Sequence, residues 1–364
     1  MGLIGVIPAA GKASRMGQLG ETLPKALIEV EGRTLLERSI ETLKKIGVSR
    51  IIVVVGHLGE QIVPVDFEVV HQDKQLGLAH AIATAKPDDD FVVLCPDNVY
   101  TDDTDLIRAR EVFESSEAAF LLVGTVTPNT QRDRKSYFTS AHRNLDANVY
   151  DYRSQDGSSG LAINSTGCTF FKHEALKYLP SFDQNREHIF RDYLESIIQQ
   201  RQGLIYLLRG MRYDFSAPED VDEYLKLKSR LSETQGQGVS AILINPQGQV
   251  LLQQRDDNPA IRYPGHWSLF GGTIEDGESP ESAVAREVKE EIDFEMQNFG
   301  LFREFVQNNK QEFAFAGELS AGLEELTLSE GQGMNLFYPS QLKDLQIRPD
   351  DKDTLEKYFG VEND

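Results

Sequence analysis

Cysteine, tryptophan and long apolar runs are all scarce in this chain of 364 residues. The two cysteines, Cys95 and Cys168, lack the short spacing of a metal-binding motif, so neither a zinc site nor a disulfide scaffold is expected. The apolar opening, residues 1–16, runs straight into a glycine-bearing turn, unlike a signal peptide or a membrane span. We therefore expect a cytoplasmic protein with reduced cysteines and no membrane partner.

Basic residues are also in short supply. The formal net charge is −21, and residues 237–364 alone carry 10 Lys and Arg against 24 Asp and Glu. Binding to a nucleic-acid backbone depends on a basic surface that releases counterions, so a nucleic-acid partner is not expected. The acidity suits a protein that collects divalent metal ions.

The chain is long enough for two hydrophobic cores, since 364 residues exceed what one core usually serves and 40% of them are hydrophobic. A charged helical pattern over residues 221–231 gives way to the polar, glycine-bearing stretch LSETQGQG. Such a change of composition is typical of a domain boundary. We predict one domain over residues 1–232, a linker over 233–237 and a second domain over 238–364.

Strand and helix patterns alternate through the first domain. Apolar runs predict strands at Leu3–Pro8, Ile51–Val55 and Phe91–Cys95. Amphipathic patterns predict helices over Thr34–Ile46 and Leu78–Ala85. This alternation predicts an α/β fold with a mixed, mainly parallel sheet, in which ligands gather at the carboxyl ends of the strands.

A turn of small residues follows the first predicted strand, in the sequence AAGKASRM that ends at residue 16. At Ala10 and Gly11 the lack of bulk lets backbone N–H groups approach the oxygens of a triphosphate. Arg15, and Lys25 in a later Leu-Pro-Lys segment, can neutralise the charge that builds up during phosphoryl transfer. The turn therefore predicts a nucleotide site with Arg15 and Lys25 as catalytic residues.

These residues resemble the fingerprint of the sugar-1-phosphate nucleotidyltransferase family, the nucleoside-diphosphate-sugar pyrophosphorylases: a Gly-x-Gly-Ser/Thr-Arg turn with a later Pro-Lys. Ala13 stands where the second glycine often occurs. The resemblance extends over about the first 230 residues and implies a Rossmann-like nucleotidyltransferase domain. It also implies that a sugar 1-phosphate attacks the α-phosphorus of a nucleoside triphosphate, with pyrophosphate as the leaving group.

The segment QDKQLGLAHA, which begins at Gln72, resembles the base-recognition segment of thymidylyl- and uridylyltransferases. In those enzymes a glutamine precedes a glycine at this spacing, so the resemblance implies that Gln72 and Gly77 contact the base. A glutamine amide carries both a donor and an acceptor, which suits the polar edge of a pyrimidine.

Two aspartates are candidates for a metal site. Asp97 follows an apolar strand in Pro-Asp-Asn, and Asp214 lies in Tyr-Asp-Phe before a Pro-Glu-Asp helix start. Either one alone would more often cap a turn, but both segments resemble metal-binding segments of the family. Together they are expected to hold one Mg²⁺, or Mn²⁺, that bridges the nucleotide and sugar phosphates, because such cations prefer hard oxygen ligands.

The sugar-phosphate site departs from the family pattern. The family has a second lysine, in a Glu-Lys-Pro segment, where this chain has Tyr-Asp-Tyr-Arg-Ser. Arg153 is the candidate replacement, since arginine can hold a phosphate through two hydrogen bonds. The segment Asn-Ser-Thr-Gly-Cys resembles the sugar-facing strand of the family and makes Gly167 a candidate sugar-phosphate contact, although it also fits a plain buried strand.

The most specific motif is GGTIEDGESPESAVAREVKEEIDF, residues 271–294, which resembles the Nudix box G-x5-E-x7-R-E-U-x-E-E-x-G-U of the Nudix pyrophosphohydrolases. The residues in register are Gly272, Glu278, Arg286, Glu287, Val288, Glu290, Glu291 and Phe294. Asp293 replaces the last glycine of the box. Aspartate tolerates left-handed backbone geometry better than most residues, so we expect the turn to survive.

The same residues predict a metal-binding helix without reference to any family. Ser279 is a good N-cap, and Pro280 suits the first helical position. Helical spacing then places Glu287, Glu290 and Glu291 on one face. Three crowded carboxylates repel one another, and a divalent cation between them explains their presence. They are therefore the predicted metal ligands and catalytic residues of this domain.

Three other residues of the box are predicted to be structural: Glu278 and Arg286 as an orienting ion pair, and Gly272. Around the box, apolar runs predict a hairpin over 239–253 and a strand over 267–270. The resemblance implies an α/β/α domain in which metal-assisted attack of water hydrolyses a nucleoside diphosphate derivative.

Alternative functions remain open from the sequence. A cytidylyltransferase for a small phosphorylated alcohol shares the phosphate turn, although Gln72 and Gly77 favour uracil or thymine. The Nudix domain could instead be a regulatory module that binds a nucleotide without cleaving it; its intact glutamates weigh against this, and Asp293 weakly favours it. A glycosyltransferase of similar fold lacks the expected Asp-x-Asp metal motif and leaves Arg15 and Lys25 unexplained. Sugar, base and oligomeric state also stay open.

Overall fold

The computed structural model describes residues 2–100, 103–126, 137–144, 149–153, 162–182, 190–208, 212–297 and 299–360. The chain divides into two compact units. The N-terminal unit comprises Met1–Gly124, Val149–Asp156 and Ser165–Leu225, and the C-terminal unit comprises Thr125–Asn148, Gly157–Asn164 and Lys226–Asp364. Among the described residues, none of the helices has the length and hydropathy needed to cross a membrane.

Strands and helices alternate along the chain up to Leu231. In order they are β1 (Ile4–Ala9), α1 (Gln18–Thr22), β2 (Glu29–Val30), β3 (Arg33–Thr34), α2 (Leu35–Ile46), β4 (Arg50–Val55), β5 (Glu68–His71), α3 (Leu78–Ala85), β6 (Phe91–Leu94), β7 (Asn98–Tyr100), α4 (Thr104–Glu114), β8 (Phe120–Val126), β9 (Tyr137–Asn144), β10 (Val149–Arg153), β11 (Ala162–Phe171), α5 (Phe190–Ile198), β12 (Gly203–Leu207), β13 (Arg212–Asp214) and α6 (Pro218–Leu231). The five predicted elements of the first hundred residues are confirmed, with small shifts at their ends.

A large mixed sheet is the centre of the N-terminal unit. Its strand order runs β5-β4-β1-β6-β11-β8-β12-β10. The first four strands are mutually parallel, and β12 is parallel to β8. Strands β11 and β10 run antiparallel to β6 and β12. Strands β1, β4, β6, β8 and β12 are almost continuously apolar and buried, as expected of a sheet covered on both faces, whereas the edge strand β5 is partly exposed. The α/β prediction is confirmed.

Local signals account for the helices as well. Thr34 and Glu37 form a capping box at the start of α2, in which each side chain accepts a hydrogen bond from the backbone N–H of the other, at 3.1 and 2.8 Å. Such a cap contributes about 1 kcal/mol. Gly47 ends the helix in the left-handed conformation.

The C-terminal unit is built on a second mixed sheet. Its elements after Leu231 are β14 (Gln237–Ile244), β15 (Val250–Gln254), β16 (Trp267–Ser268), α7 (Pro280–Ile292), β17 (Phe299–Gln307), β18 (Lys310–Glu318), β19 (Gly333–Phe337) and α8 (Pro349–Phe359). The strand order is β16-β15-β14-β18-β17, with β19 on β15. Strands β14 and β18 are parallel, and the predicted hairpin of β14 and β15 is confirmed. The predicted linker, 233–237, begins two residues after the end of α6 and includes Gln237, the first residue of β14.

One predicted strand changes partner partway along. We expected a single strand over 267–270, but β16 pairs with β15 only through Trp267 and Ser268. Phe270 instead bridges to Ala241 of β14. The chain therefore changes its pairing from β15 to β14 within two residues. The hydrophobic periodicity of the sequence does not reveal such a change of partner strand.

Helix α7 begins and ends as its sequence predicts. The Ser279 hydroxyl accepts a hydrogen bond from the Ser282 N–H at 3.2 Å, and Pro280 occupies the first turn. Beyond Ile292 the chain leaves the helix through Asp293, whose φ of 53° is left-handed. The expectation that aspartate can replace the glycine of the box is confirmed for the backbone.

Candidate functional sites

A cavity of about 590 Å³ opens at the carboxyl ends of β1 and β6 in the N-terminal unit. Its wall includes predicted site residues from four separate segments of sequence: Ala10, Gly11, Arg15, Lys25, Gln72, Gly77 and Asp97. Parallel strands end at the same edge of a sheet, so loops that are distant in sequence meet there. The fold thus brings the predicted phosphate turn, base segment and first metal ligand together.

Lys25 and Asp97 form the central contact of this cavity. Lys25 starts a 3₁₀ turn, Lys25–Leu27, and its Nζ lies 2.6 Å from Oδ2 of Asp97. The side chains are only 18% and 26% exposed, so the pair is poorly screened by solvent. The other carboxylate oxygen of Asp97 accepts a hydrogen bond from the Asn98 amide at 2.8 Å. One cation and one anion are therefore held ready beside the phosphate turn.

The phosphate turn depends on a left-handed residue. Ala13 has φ 50° and ψ 35°, and its carbonyl accepts a hydrogen bond from the Met16 N–H at 2.8 Å. A Cβ in this region costs about 1 kcal/mol relative to glycine, which explains why glycine is favoured at this position. Arg15 follows in the 3₁₀ turn and lines the cavity.

The base segment is anchored by two contacts that the sequence did not single out. Gln72 is 5% exposed, and its Nε2 lies 2.6 Å from Nδ1 of His80. Gln75 donates a hydrogen bond from Nε2 to the carbonyl of Ala10 at 2.6 Å and so ties the base segment to the phosphate turn. The repeated glutamine in Gln-x-x-Gln was the available signal for Gln75.

Asp214 is brought to Asp97 by a two-stranded ribbon. Strand β13 pairs with β7, which places Asp214 opposite Asn98, and the Phe215 N–H donates to the Asp97 carbonyl at 2.8 Å. Asp214 accepts a hydrogen bond from the Ser216 hydroxyl at 2.6 Å. Its other oxygen is 3.4 Å from Nη1 of Arg212, a cation that sequence reasoning missed.

These two aspartates suit a magnesium ion chemically. Their donors are hard carboxylate oxygens, and Mg²⁺ in nucleotide sites commonly takes one or two carboxylates plus phosphate and water. Within the described parts of the chain, nowhere do three or more His, Cys, Asp or Glu side chains gather closely enough to hold a metal by themselves. Any cation at Asp97 and Asp214 therefore depends on further ligands from substrate and solvent.

The two predicted sugar-phosphate residues have different outcomes. Gly167 has φ 76°, and an added Cβ would lie 2.9 Å from Cβ of Cys95 and 3.1 Å from Cγ of Asn98. It lets β11 pack directly against the loop that carries Asp97. Arg153 ends β10, and its side chain lies outside the described residues.

In the C-terminal unit, the predicted orienting pair of the Nudix box is present. Arg286 contacts Glu278 through Nε and Nη2, each at 3.0 Å from a different carboxylate oxygen. Two parallel hydrogen bonds fix the guanidinium plane, and Nη2 also donates to the Thr273 carbonyl at 3.1 Å. The pair holds the loop before α7 against the helix and lowers the pKa of Glu278.

Of the three predicted metal ligands of the box, two share Arg286 as a partner and the third has different partners. Glu287 and Glu290 each place one oxygen near Nη1 of Arg286, at 3.0 and 3.2 Å. Glu291 is turned inward and accepts hydrogen bonds from the Gly271 N–H and the Gln253 amide, at 2.9 and 3.1 Å. In the described residues they do not form a ready three-carboxylate group, and their role as metal ligands stays a prediction.

Burial sets Glu291 apart from the other two glutamates. It is only 7% exposed, and this desolvation raises its pKa to about 7, although the hydrogen bonds from Gly271 and Gln253 lower it. Glu291 also lines a second cavity, of about 360 Å³, whose wall includes Arg255 and Arg348. Neither arginine was singled out from the sequence, because both lie far outside the box.

Two regions of the chain match known protein families. Residues 5–166 match the family described as MobA-like NTP transferase domain, and residues 234–358 match the NUDIX domain. The fold of the first region is also found in solved structures. A UDP-glucose pyrophosphorylase from Acinetobacter baumanii aligns over 64% of this chain and 94% of its own, with a TM-score of 0.53 and 21% identity.

Curated relatives cover parts of the chain. The UTP–glucose-1-phosphate uridylyltransferase AglF of Haloferax volcanii is 33% identical over 127 residues, which is 32% of this chain and 52% of that protein. The bifunctional protein GlmU of Nitrosococcus oceani is 26% identical over 252 residues, 65% of this chain and 54% of that protein. This chain therefore spans about half the length of these relatives. The chain thus matches the MobA-like NTP transferase family over residues 5–166 and the NUDIX domain over residues 234–358, two families that are typical of enzymes.

Proposed function

We propose that the N-terminal unit transfers a nucleotidyl group from a nucleoside triphosphate to a sugar 1-phosphate and releases pyrophosphate. The observation that carries this proposal is the pairing of Lys25 with Asp97 inside a cavity bordered by the phosphate turn. UTP and glucose 1-phosphate are the first substrates to test, because the related AglF is a UTP–glucose-1-phosphate uridylyltransferase.

The chain's own residues supply positioning and charge neutralisation in this reaction. The backbone N–H groups around Gly11 receive the triphosphate, and Arg15 and Lys25 lie where negative charge grows as pyrophosphate leaves. Gln72 lines the cavity and contacts His80, and in this proposal it contacts the base. No covalent enzyme intermediate is needed, since a bound sugar phosphate can attack in line.

The proposed reaction includes a divalent cation bound beside Asp97. Mg²⁺, or Mn²⁺, would be held by Asp97 and Asp214 and would supply charge neutralisation between the two phosphate groups. Lys25 Nζ forms an ion pair with Asp97 at 2.6 Å. We infer that Lys25 turns from Asp97 to a phosphate oxygen when substrate and cation bind.

We propose that the C-terminal unit hydrolyses a nucleoside diphosphate derivative, with Glu287, Glu290 and Glu291 holding the metal that activates water. Glu287 Oε2 and Glu290 Oε1 have no hydrogen-bond partner among the described residues and remain available to a cation. Its substrate is expected to differ from the product of the N-terminal unit, because cleaving that product would be a futile cycle that consumes triphosphate. A site that hydrogen-bonds one base or sugar rejects others strongly enough for this separation.

The test of the transferase is pyrophosphate release by the full chain with a panel of nucleoside triphosphates and phosphorylated acceptors. Arg15→Ala and Lys25→Ala are each expected to lower turnover at least 100-fold while hydrolysis by the Nudix domain is unchanged. Arg33→Ala is the matched control, because Arg33 is exposed and paired with Glu41 away from the cavity. Unchanged turnover in Lys25→Ala contradicts the assignment, and CTP with choline phosphate as the best pair would favour the cytidylyltransferase alternative.

The test of the hydrolase uses the same protein with the transferase product, ADP-ribose, other nucleotide sugars and oxidised nucleoside triphosphates. Loss of cleavage in Glu287→Gln, with transferase activity retained, is the expected result. Fastest cleavage of the transferase product would contradict the proposed separation of substrates. No cleavage of any compound would favour a regulatory binding module.

A further inference from the structure

The amide group of Gln72 has two neighbours at the wall of the transferase cavity. Its Nε2 lies 2.6 Å from Nδ1 of His80 and 3.5 Å from the carbonyl oxygen of Gly77. Gln72 lines the cavity although it is only 5% exposed. Since both neighbours face the same amide nitrogen, the orientation of the amide follows from what each neighbour can do in a hydrogen bond.

These two neighbours fix the positions of the protons. The Gly77 carbonyl can only accept a hydrogen bond, so the group that faces it is the NH2 of Gln72. An amide nitrogen can only donate, so Nδ1 of His80 must be the second acceptor. The neutral imidazole of His80 therefore carries its proton on Nε2, and this tautomer holds the Gln72 amide in one of its two orientations.

The oxygen of the same amide is left for a ligand. Both hydrogens of Nε2 are taken by His80 and Gly77, and within the described residues Oε1 of Gln72 accepts no hydrogen bond. It is also not one of the side-chain atoms that are both unpaired and sealed from solvent in the described part of the chain. Oε1 therefore keeps contact with the open space that Gln72 lines, where it can only accept a hydrogen bond.

The ring of His80 is held in place by its own packing. His80 lies in the first turn of α3, and its ring packs edge-on against Phe182, with centroids 4.9 Å apart and planes at 77°. One turn later the Thr84 hydroxyl donates to the His80 carbonyl at 2.8 Å. The amide of Gln72 is thus oriented by a packed ring and not by a freely rotating surface side chain.

A fixed acceptor distinguishes the common pyrimidines at one ring atom. N3 of uracil and of thymine carries a hydrogen, whereas N3 of cytosine is itself an acceptor. A site built around a hydrogen bond from the ligand strongly rejects an analogue that lacks the donor, because the polar group of the protein is then left unpaired.

We propose that His80 is a positioning residue that fixes Gln72 as a hydrogen-bond acceptor and so makes the site select uracil or thymine over cytosine. Without the Nδ1 acceptor the amide can turn over and present its donor to N3 of cytosine, so selectivity falls together with affinity. The inference rests on the proposed transferase function for the place of the base beside Gln72, but nucleotide binding by itself does not require turnover.

The test is equilibrium binding of UTP and CTP to the full chain, measured by isothermal titration calorimetry with Mg²⁺ and without sugar phosphate. The wild-type chain is expected to bind UTP more tightly than CTP by about tenfold or more. His80→Phe keeps a ring against Phe182 but has no acceptor, so UTP affinity should fall about tenfold and the preference for UTP should fall to about twofold or less. His80→Leu, which also lacks an acceptor, gives the same comparison should phenylalanine disturb the packing.

Three further variants separate positioning from a structural effect. His80→Asn should restore the preference for UTP, because Oδ1 of asparagine is bonded to Cγ as Nδ1 of histidine is. Gln72→Ala removes the amide, so adding His80→Phe to it should change UTP affinity by no more than about twofold. Thr84→Ala is the control: it alters the same helix without lining the cavity, and both affinities should be retained.

The outcomes separate this inference from the transferase proposal. Loss of the UTP preference in His80→Phe with recovery in His80→Asn supports the role of His80, even if no sugar phosphate is turned over. Tighter binding of CTP than of UTP by the wild-type chain overturns it, and so does the absence of nucleotide binding. An equal loss of UTP and CTP affinity in His80→Phe, or an undiminished loss in the Gln72→Ala background, also overturns it, even if turnover is efficient.

Discussion

Alanine substitutions at two adjacent glycines of the Nudix motif are expected to affect different properties. Gly272→Ala should lower the rate of hydrolysis, and Gly271→Ala should lower the stability of the domain. An added Cβ at Gly272 would lie 2.6 Å from Oε2 of Glu287 and closer still to Oε1. Non-bonded heavy atoms prefer about 3.5 Å, so the carboxylate would retreat by about 1 Å. A misplacement of that size can lower a rate about 100-fold, which corresponds to about 2.7 kcal/mol of activation free energy.

The stability of Gly272→Ala should change little. Its backbone is not among the left-handed positions, and the clash involves the end of a flexible side chain. Gly271 is the contrasting case, with φ 143° and an added Cβ 2.8 Å from Cα of Ser240 in β14. Backbone atoms of a paired strand cannot retreat, so Gly271→Ala is expected to lower the free energy of unfolding by about 1–3 kcal/mol.

Two measurements on the full chain distinguish these effects. Hydrolysis of the fastest substrate from the panel gives the rate, and guanidinium unfolding followed by Trp267 fluorescence gives the stability of the C-terminal unit. Transferase activity of both variants serves as the internal control. The reasoning is refuted if Gly272→Ala keeps its full rate, or if it loses as much stability as Gly271→Ala.

Three further predictions follow from the two sites. Ala13→Gly should raise the free energy of unfolding of the N-terminal unit by about 0.5–1 kcal/mol, because the left-handed strain disappears; no gain on thermal unfolding contradicts this. Glu291 has a folded-state pKa of about 7 against an ordinary 4.5, so its contribution to stability is full below about pH 4.5 and is lost as pH rises through 7, about 3 kcal/mol in all. Chelator-treated wild type should show this decline by Trp267 fluorescence, and Glu291→Gln should not. Asp97→Asn and Asp214→Asn should weaken Mg²⁺-dependent transferase turnover far more than folding, and a large fall in stability with unchanged metal dependence would make both residues structural.

The sequence was most informative where structure depends on neighbouring residues. The cap at Ser279, the proline that follows it and the left-handed Asp293 are local preferences of the backbone, and each is found as expected. The parallel strands before residue 100 were predictable in the same way, because buried β-branched runs leave few alternatives. The five residues predicted in the phosphate turn and base segment line one cavity, because the carboxyl ends of parallel strands lie at the same edge of a sheet.

The contacts that define the chemistry required the tertiary structure. Lys25 meets Asp97 across 72 positions of sequence, and His80 supports Gln72 only because α3 folds back over β5. No periodicity indicated that Arg212 would pair with Asp214. Such contacts are fixed by the packing of whole elements, and sequence spacing carries no information about them.

The sequence by itself determined that this protein has two α/β domains, the positions of the small-residue turn and of the Nudix box, and the limits of the helix that bears the Nudix glutamates. Only the tertiary structure decided that Glu291 turns inward while Glu290 stays exposed, and that Arg255 and Arg348 converge on one cavity. The reason is physical: capping, turn and periodicity preferences act over a few residues, whereas burial and the convergence of side chains depend on which strands become neighbours in the sheet.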